Sequence, residues 1–174
     1  INEEKNELRR YQDKALILIG FAGGFRRSEL VSLEYDDIDF VNEGVKIVIK
    51  KSKTDQTGVG MTKAIPYFEN NNYCPVISLK EWINLSKIEG GKIFDISDKS
   101  VALKIKKYAL LAGLEYKKYS GHSLRSGFAT STADIGADER SIMAMTGHKT
   151  TQMVRRYIQE ANLFKNNALN KIKI

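Results

Sequence analysis

The chain contains only two histidines, and both lie among arginines. His122 stands in "SGHSLRSG", three residues ahead of Arg125, and His148 stands in "TGHKTTQMVRRYIQ", nine residues ahead of Tyr157. Residues three apart share a helical face, so His122 and Arg125 together line the first turn of any helix that begins there. Free backbone N–H groups and the helix dipole at such a start favour a phosphate. The arginine fork matches phosphate oxygens two at a time. The same letters also fit a purely structural role, with Ser120 capping the helix and His122 as a packed or capping imidazole. Tyr157 falls in the second turn of a helix starting near Thr151, on a stripe with Met153 or Val154 and Ala161. That placement suits a core tyrosine equally well, and Arg155 and Arg156 beside it suit a solvated basic face.

Two further stretches offer cations. In "GGFRRSELVSL" the spacing of Arg26, Leu30 and Leu33 puts them on one helical stripe, which turns Arg26 inward and aligns Arg27 with Val31. An inward charge needs an anionic partner, either a ligand or an internal carboxylate such as Glu29 or Glu34. "IKKSKTDQTG" supplies Lys50, Lys51 and Lys53 around a hairpin, where a lysine can meet a phosphate as a point charge or hand over a proton. "EYDDIDF" gathers Glu34, Asp36, Asp37 and Asp39, and paired carboxylates can hold metal ions for a nuclease. Alternation of Asp37 and Asp39 with Ile38 and Phe40 favours a solvated strand edge instead.

Elements to carry these residues follow from periodicity. "EEKNELRRYQDKALILIGFAGG" is a helix with Leu8, Tyr11, Ala15, Leu18 and Ile19 on one stripe, ended by Gly23-Gly24. "RRSELVSL" is a short second helix. "DDIDF", "VKIVIK" and "TKAIPY" are strands, with "KKSKTDQTGVG" as a long polar hairpin loop. Pro75 opens a helix through "VISLKEWINLSK", and "DKSVALKIKKYALLAG" is another. The last third is helical over His122 to Ile135, Asp138 to Met145 and Thr151 to Glu160, with a weak stripe beyond Ala161. The expected fold is mainly α with a small antiparallel three-stranded β-sheet, an α+β arrangement.

With 174 residues, one domain with its own core is expected across 1–174. A net charge of +7 favours a polyanionic partner, nucleic acid before an anionic membrane. "ALILIGFAGGF" is too short to span a bilayer, so no membrane partner is expected. One cysteine, Cys74, excludes an internal disulfide and a cysteine-cluster zinc site, and fits a reducing cytoplasm. The chain starts at Ile1 without a signal segment and is expected to be a piece of something longer.

Taken in chain order, G-F-R-x-S-E-L, a lysine in S-K-T, H-x-x-R, G-H and an R-Y nine residues later resemble the catalytic domain of the tyrosine recombinases, the phage-integrase family. The resemblance runs from about Leu16 to Ile158. It implies that Arg26 and Arg125 are the two catalytic arginines, that His122 is the histidine of H-x-x-R, and that His148 fills a position taken by His or Trp. It implies that Lys53 is the hairpin lysine, with Lys50 and Lys51 as neighbours, and that Tyr157 is the nucleophile. Phe25 stands where an aliphatic residue is commoner, and Arg27 duplicates the charge beside Arg26. The implied partner is double-stranded DNA, bound by a homo-oligomer (a tetramer) on paired sites, and the isolated fragment could be a monomer. A separate N-terminal DNA-binding domain is implied but absent from 1–174, and residues 161–174 could dock on a neighbour.

The chemistry so implied is attack on a phosphodiester, yielding a 3′-phosphotyrosyl enzyme and a free 5′ hydroxyl, with no cofactor, metal or ATP. Arginines and a histidine aimed at the nonbridging oxygens stabilise the charge gathered in the transition state. Tyr157, with an ordinary pKa of about 10, sheds its proton as it attacks. His122 is the expected acceptor or orienting group, and Lys53 the expected general acid for the leaving oxygen. The rivals are a type IB topoisomerase, the metal-dependent nuclease and a catalytically silent DNA-binding module.

Overall fold

The computed structural model describes residues 2–50 and 60–162. In chain order they form α1 (Asn2–Ala22), α2 (Arg27–Val31), β1 (Ile38–Val41), β2 (Gly44–Ile49), β3 (Met61–Pro66), α3 (Pro75–Ser86), α4 (Asp98–Leu111), α5 (Ser123–Asp134), α6 (Glu139–Thr146) and α7 (Thr151–Asn162), with short 3₁₀ turns between some of them. The strands make one antiparallel sheet in the order β1-β2-β3. Mainly α with a small three-stranded sheet is the fold expected from the sequence. Among the described residues no helix is long and apolar enough to cross a membrane.

Register fixes which side chains face inward. Ile47 pairs with Ile38 on one side and with Lys63 on the other, while Val45 pairs with Ile65 and Ile49 with Met61. Val45, Ile47 and Ile49 are buried and Lys46 and Val48 exposed, the period-two pattern of a half-buried sheet. On β3 the inward stripe includes Lys63, a charge in an apolar row. The large core joins α1 to α4 and the sheet, with Leu16, Ile19, Leu30, Leu33 and Phe94 near full burial. A smaller core of Ala129, Ala133, Ile142 and Val154 holds α5, α6 and α7 together.

Two helix ends decide where the arginine and histidine segments go. At the end of α1, Gly24 takes φ +55°, its N–H donates to the Phe21 carbonyl at 3.0 Å, and the Phe25 N–H donates to the Gly20 carbonyl at 3.0 Å. This is a Schellman closure, and a left-handed residue there favours glycine. Buried Phe25 then anchors the chain, and Arg26 emerges as the N-cap of α2. At the end of α6, Gly147 takes φ +65° and its N–H donates to the Met143 carbonyl at 2.7 Å, delivering His148.

Three boundaries differ from expectation. Tyr35–Asp37 is a 3₁₀ turn rather than the start of a strand, because an Asp37 carboxylate oxygen accepts the Glu34 N–H at 3.0 Å. The second helix starts at Arg27 and stops at Val31, so Arg26 reaches its position from a cap rather than from an inward stripe. His122 likewise caps α5 instead of occupying its first turn.

Candidate active site

Arg125 lies on α5 with only 5% of its surface exposed. Its Nη1 donates to the Gly24 carbonyl at 3.1 Å and to the Thr146 carbonyl. Both acceptors are carbonyls at helix C-termini, where orphan oxygens and the negative end of the dipole favour a cation. Its Nη2 is buried with no hydrogen-bond partner among the described residues. Burial first, then the neighbouring Arg26, pull its pKa down to about 10, so the guanidinium stays charged at neutral pH.

Arg26 is held from the other side. Its backbone N–H donates to Glu29 Oε2 at 2.9 Å and its Nη1 donates to Glu29 Oε1 at 2.6 Å. Glu29 is 2% exposed, so the carboxylate is the internal partner that an inward arginine demanded. Glu29 also acts electrostatically on Arg125 and on buried Lys63. Three cations therefore surround one carboxylate, and the cluster is short of negative charge.

His148 is buried, and its Nδ1 lies 2.8 Å from Thr146 Oγ1. Thr146 Oγ1 spends its own proton on the Ile142 carbonyl at 2.6 Å. Nδ1 must then carry the imidazole hydrogen, which leaves Nε2 as an acceptor. Burial, followed by Arg125, Arg26 and Lys63, pushes the His148 pKa down to about 4, so the ring is neutral at rest. The Tyr157 ring sits 6.1 Å from it, centroid to centroid, at an interplanar angle of 33°. Tyr157 is half-buried on α7, one turn beyond buried Val154, and acts electrostatically on Arg125. His148, Gln152, Met153, Arg156 and Tyr157 line an open cleft of about 480 Å³.

Of the remaining expected residues, His122 and Lys50 are exposed. His122 is exposed at the α5 N-cap, its N–H donating to Ser120 Oγ at 3.3 Å, and the ring beside Tyr157 belongs to His148. Lys53 and Lys51 lie outside the described residues. Lys50 is described: its Nζ meets Asp37 Oδ1 at 2.8 Å and Glu34 Oε2 at 3.1 Å. Those bonds, Asp37's first, raise its pKa, which makes Lys50 a reluctant proton donor. They also occupy two of the four acids of "EYDDIDF", and among the described residues no group of three or more His, Cys, Asp or Glu is arranged to hold a metal. Arg27 does not duplicate Arg26 in space: its Nε reaches Asp98 Oδ2 at 3.3 Å, and its stem crosses Gly121, where an added Cβ would lie 2.5 Å from Cδ.

The fold that gathers these segments has counterparts among known proteins. The model of the phage integrase family matches residues 1–163. The chain belongs to that family. An integrase/recombinase xerD homolog of Selenomonas ruminantium is 47% identical across 97% of the chain and 53% of the relative. A crystal structure of XerA recombinase superposes with a TM-score of 0.73 over all of this chain and 63% of the other, at 20% identity. The pre-cleavage complex of XerH site-specific recombinase with difH substrate gives 0.70 over 91% of this chain and 47% of the other, at 22% identity. The chain thus spans about half the length of the curated relatives it matches.

Within the phage integrase fold one buried residue of the cluster escaped the sequence analysis. The signal is Lys63 in step with Met61 and Ile65, and it becomes readable only once pairing with β2 shows that this parity of β3 faces inward.

Proposed function

We propose that this chain is the strand-cleaving part of a site-specific DNA recombinase and works through a covalent phosphotyrosine. One observation carries the reading. A buried guanidinium, Arg125, has an unpartnered Nη2 within a cluster where Arg26 and Lys63 add positive charge and His148 and Tyr157 stand close by. An unsatisfied buried donor in a positively charged cluster is costly unless an anion completes it. The scissile phosphate supplies both acceptor and charge.

In the step proposed, the Tyr157 oxygen bonds to phosphorus and the bond from phosphorus to the 5′ oxygen breaks. The phenolic proton passes to an imidazole, His122 by family resemblance. The departing 5′ oxygen takes a proton from Lys53. Arg26 and Arg125 hold the nonbridging oxygens through the transition state, so the residues themselves provide the charge stabilisation. One phosphoester replaces another, and a second 5′ hydroxyl reverses the exchange without ATP. Duplex DNA as substrate is supported by the net charge of +7 and by the XerH relative, whose structure holds its difH substrate. The single-domain reading of 1–174 joins it to a separate DNA-binding domain in the longer protein, with oligomerisation on paired sites.

The test is incubation with nicked suicide duplexes selected by the chain from a random-sequence pool, followed by denaturing electrophoresis and mass spectrometry. A nucleotide ester on Tyr157, lost in Tyr157→Phe while DNA affinity persists, is expected. An adduct on any other residue, or none with wild type, overturns the reading.

A further inference from the structure

Lys63 is fully buried on β3, where Met61 and Ile65 mark the same inward row. Its Nζ donates to the Gly23 carbonyl at 2.6 Å and to the Met145 carbonyl, and lies 4.6 Å from the centre of the Phe25 ring. The three donors of an ammonium therefore meet two carbonyls and an aromatic face. Arg125 Nη1 bridges the next carbonyl of each segment, Gly24 and Thr146. Two cations thus fasten the turn that ends α1 to the turn that ends α6, residue by residue. One turn is followed by Arg26 and the other by His148.

We propose that Lys63 is a positioning residue for strand cleavage: its buried ammonium clips the Arg26 turn to the His148 turn and sets the distance between the groups that grip the phosphate. The inference rests on the reading above, though the clip itself can be measured without DNA. Among the described residues, neither turn has another side-chain hydrogen bond to β3. A neutral side chain of the same length fills the space but offers the two carbonyls no donor. An amine without its charge offers weaker bonds, since charge-assisted hydrogen bonds are roughly twice as strong as neutral ones.

The groups acting on Lys63 are Glu29 and Arg26 from α2 and its cap and Arg125 from α5, with His148 near enough to feel it in turn. Burial dominates and lowers its pKa to about 8; Glu29 opposes the shift, and Arg125 and Arg26 add to it. An alkaline loss of cleavage beginning near that pH is therefore expected. Overall stability does not fall there, because removing a buried charge relieves a desolvation cost.

Wild type, Lys63→Met and Lys63→Arg are compared by amide hydrogen exchange of residues 23–26 and 145–148, and by the rate of adduct formation on suicide DNA from pH 6 to 9.5. Lys63→Met is expected to lose protection in both turns and to form adduct about 10- to 100-fold more slowly, as a small misplacement of reacting groups does, with DNA affinity retained. Lys63→Arg is expected to recover most of the rate and to lack the alkaline limb. Unchanged exchange in Lys63→Met overturns the clip, whatever the adduct assay gives. Lost protection with an unchanged rate overturns the positioning role. Should Lys63→Met fail to fold, an alkaline limb in Lys63→Arg identical to that of wild type overturns it as well. Failure of wild type to form any adduct sinks the proposed function instead, and leaves the clip to stand or fall on exchange.

Discussion

Thr146 fixes the tautomer of His148. Its hydroxyl gives a proton to the Ile142 carbonyl at 2.6 Å and so receives one from His148 Nδ1 at 2.8 Å, leaving Nε2 as an acceptor. Nitrogen NMR of the imidazole is expected to show the Nδ1–H form at pH 7, with protonation delayed to about pH 4. Burial and then Arg125 and Arg26 cause that delay, so an oxyanion placed between the arginines counteracts them. Adding vanadate or DNA should raise the His148 pKa, turning the ring into a donor toward the phosphate. A pKa indifferent to either anion contradicts the shared site. Thr146→Val strands the Nδ1–H and should cost about 1–3 kcal/mol of stability, read by denaturant unfolding.

The same shift predicts how stability follows pH. In the folded chain His148 binds a proton near pH 4, whereas in the unfolded chain it does so near its ordinary value of 6.5. Between those values the unfolded state holds more protons, so stability must rise with pH through the window and level off above it. His148→Gln should flatten that part of the curve. Lys63 gives a second rise, between about pH 8 and 10.5, because its buried ammonium is a full cost only below pH 8. Comparing wild type with Lys63→Met in urea unfolding at several pH values isolates it.

Arg125 performs two tasks that a lysine cannot combine. One guanidinium nitrogen ties Gly24 to Thr146 while a second is left for a ligand. Arg125→Lys retains the charge but not the planar fork. Adduct formation is expected to fall by about 10²–10³-fold, with DNA affinity much less affected. A mild loss in this variant would mean that Arg125 serves packing alone.

Much of this was visible in the letters. Gly23-Gly24 and Gly147 announced helix ends, the period of "VKIVIK" announced a strand, and the two histidines marked segments that the fold brings toward Arg26 and Tyr157. The partner of Arg26 stayed open between Glu29, Glu34 and a ligand, because spacing alone does not choose among carboxylates. Structure selects Glu29, which caps the Arg26 backbone and binds its side chain together. Lys63 was hidden for a different reason. A lysine in a strand reads as surface unless its parity is known, and parity depends on pairing with β2. Nor does sequence reveal that Arg27 leans across Gly121 to Asp98, a contact between segments about seventy residues apart.

The identity of the general acid can be separated from nearby lysines. Lys50 is committed to Asp37 and Glu34, which raise its pKa. Lys50→Ala is therefore expected to leave the cleavage rate essentially intact and to loosen the Glu34–Asp37 turn. Lys53→Ala should slow cleavage of ordinary DNA by about 10²–10⁴-fold, the usual worth of general acid catalysis. A substrate with sulfur in place of the bridging 5′ oxygen leaves as a thiolate and needs no proton. It should restore Lys53→Ala to near the wild-type rate, whereas restoration of Lys50→Ala or Lys51→Ala alone reassigns the acid.

Among the described residues, Glu29 is the one carboxylate that acts on both Lys63 and Arg125, and it binds Arg26 directly. Glu29→Gln keeps the shape and removes the carboxylate that these three cations share. Breaking a buried pair by removing one partner typically costs about 3–5 kcal/mol, and that loss should appear in thermal or denaturant unfolding. The same change deepens the demand for an anion, so phosphate or sulfate should stabilise Glu29→Gln more than wild type. Equal stabilisation of both proteins by anion would mean that the three cations do not share a binding site. Catalysis should still fall despite tighter anion binding, because Arg26 loses the clamp that sets its direction, and strengthened binding of the ground state does not accelerate the chemical step.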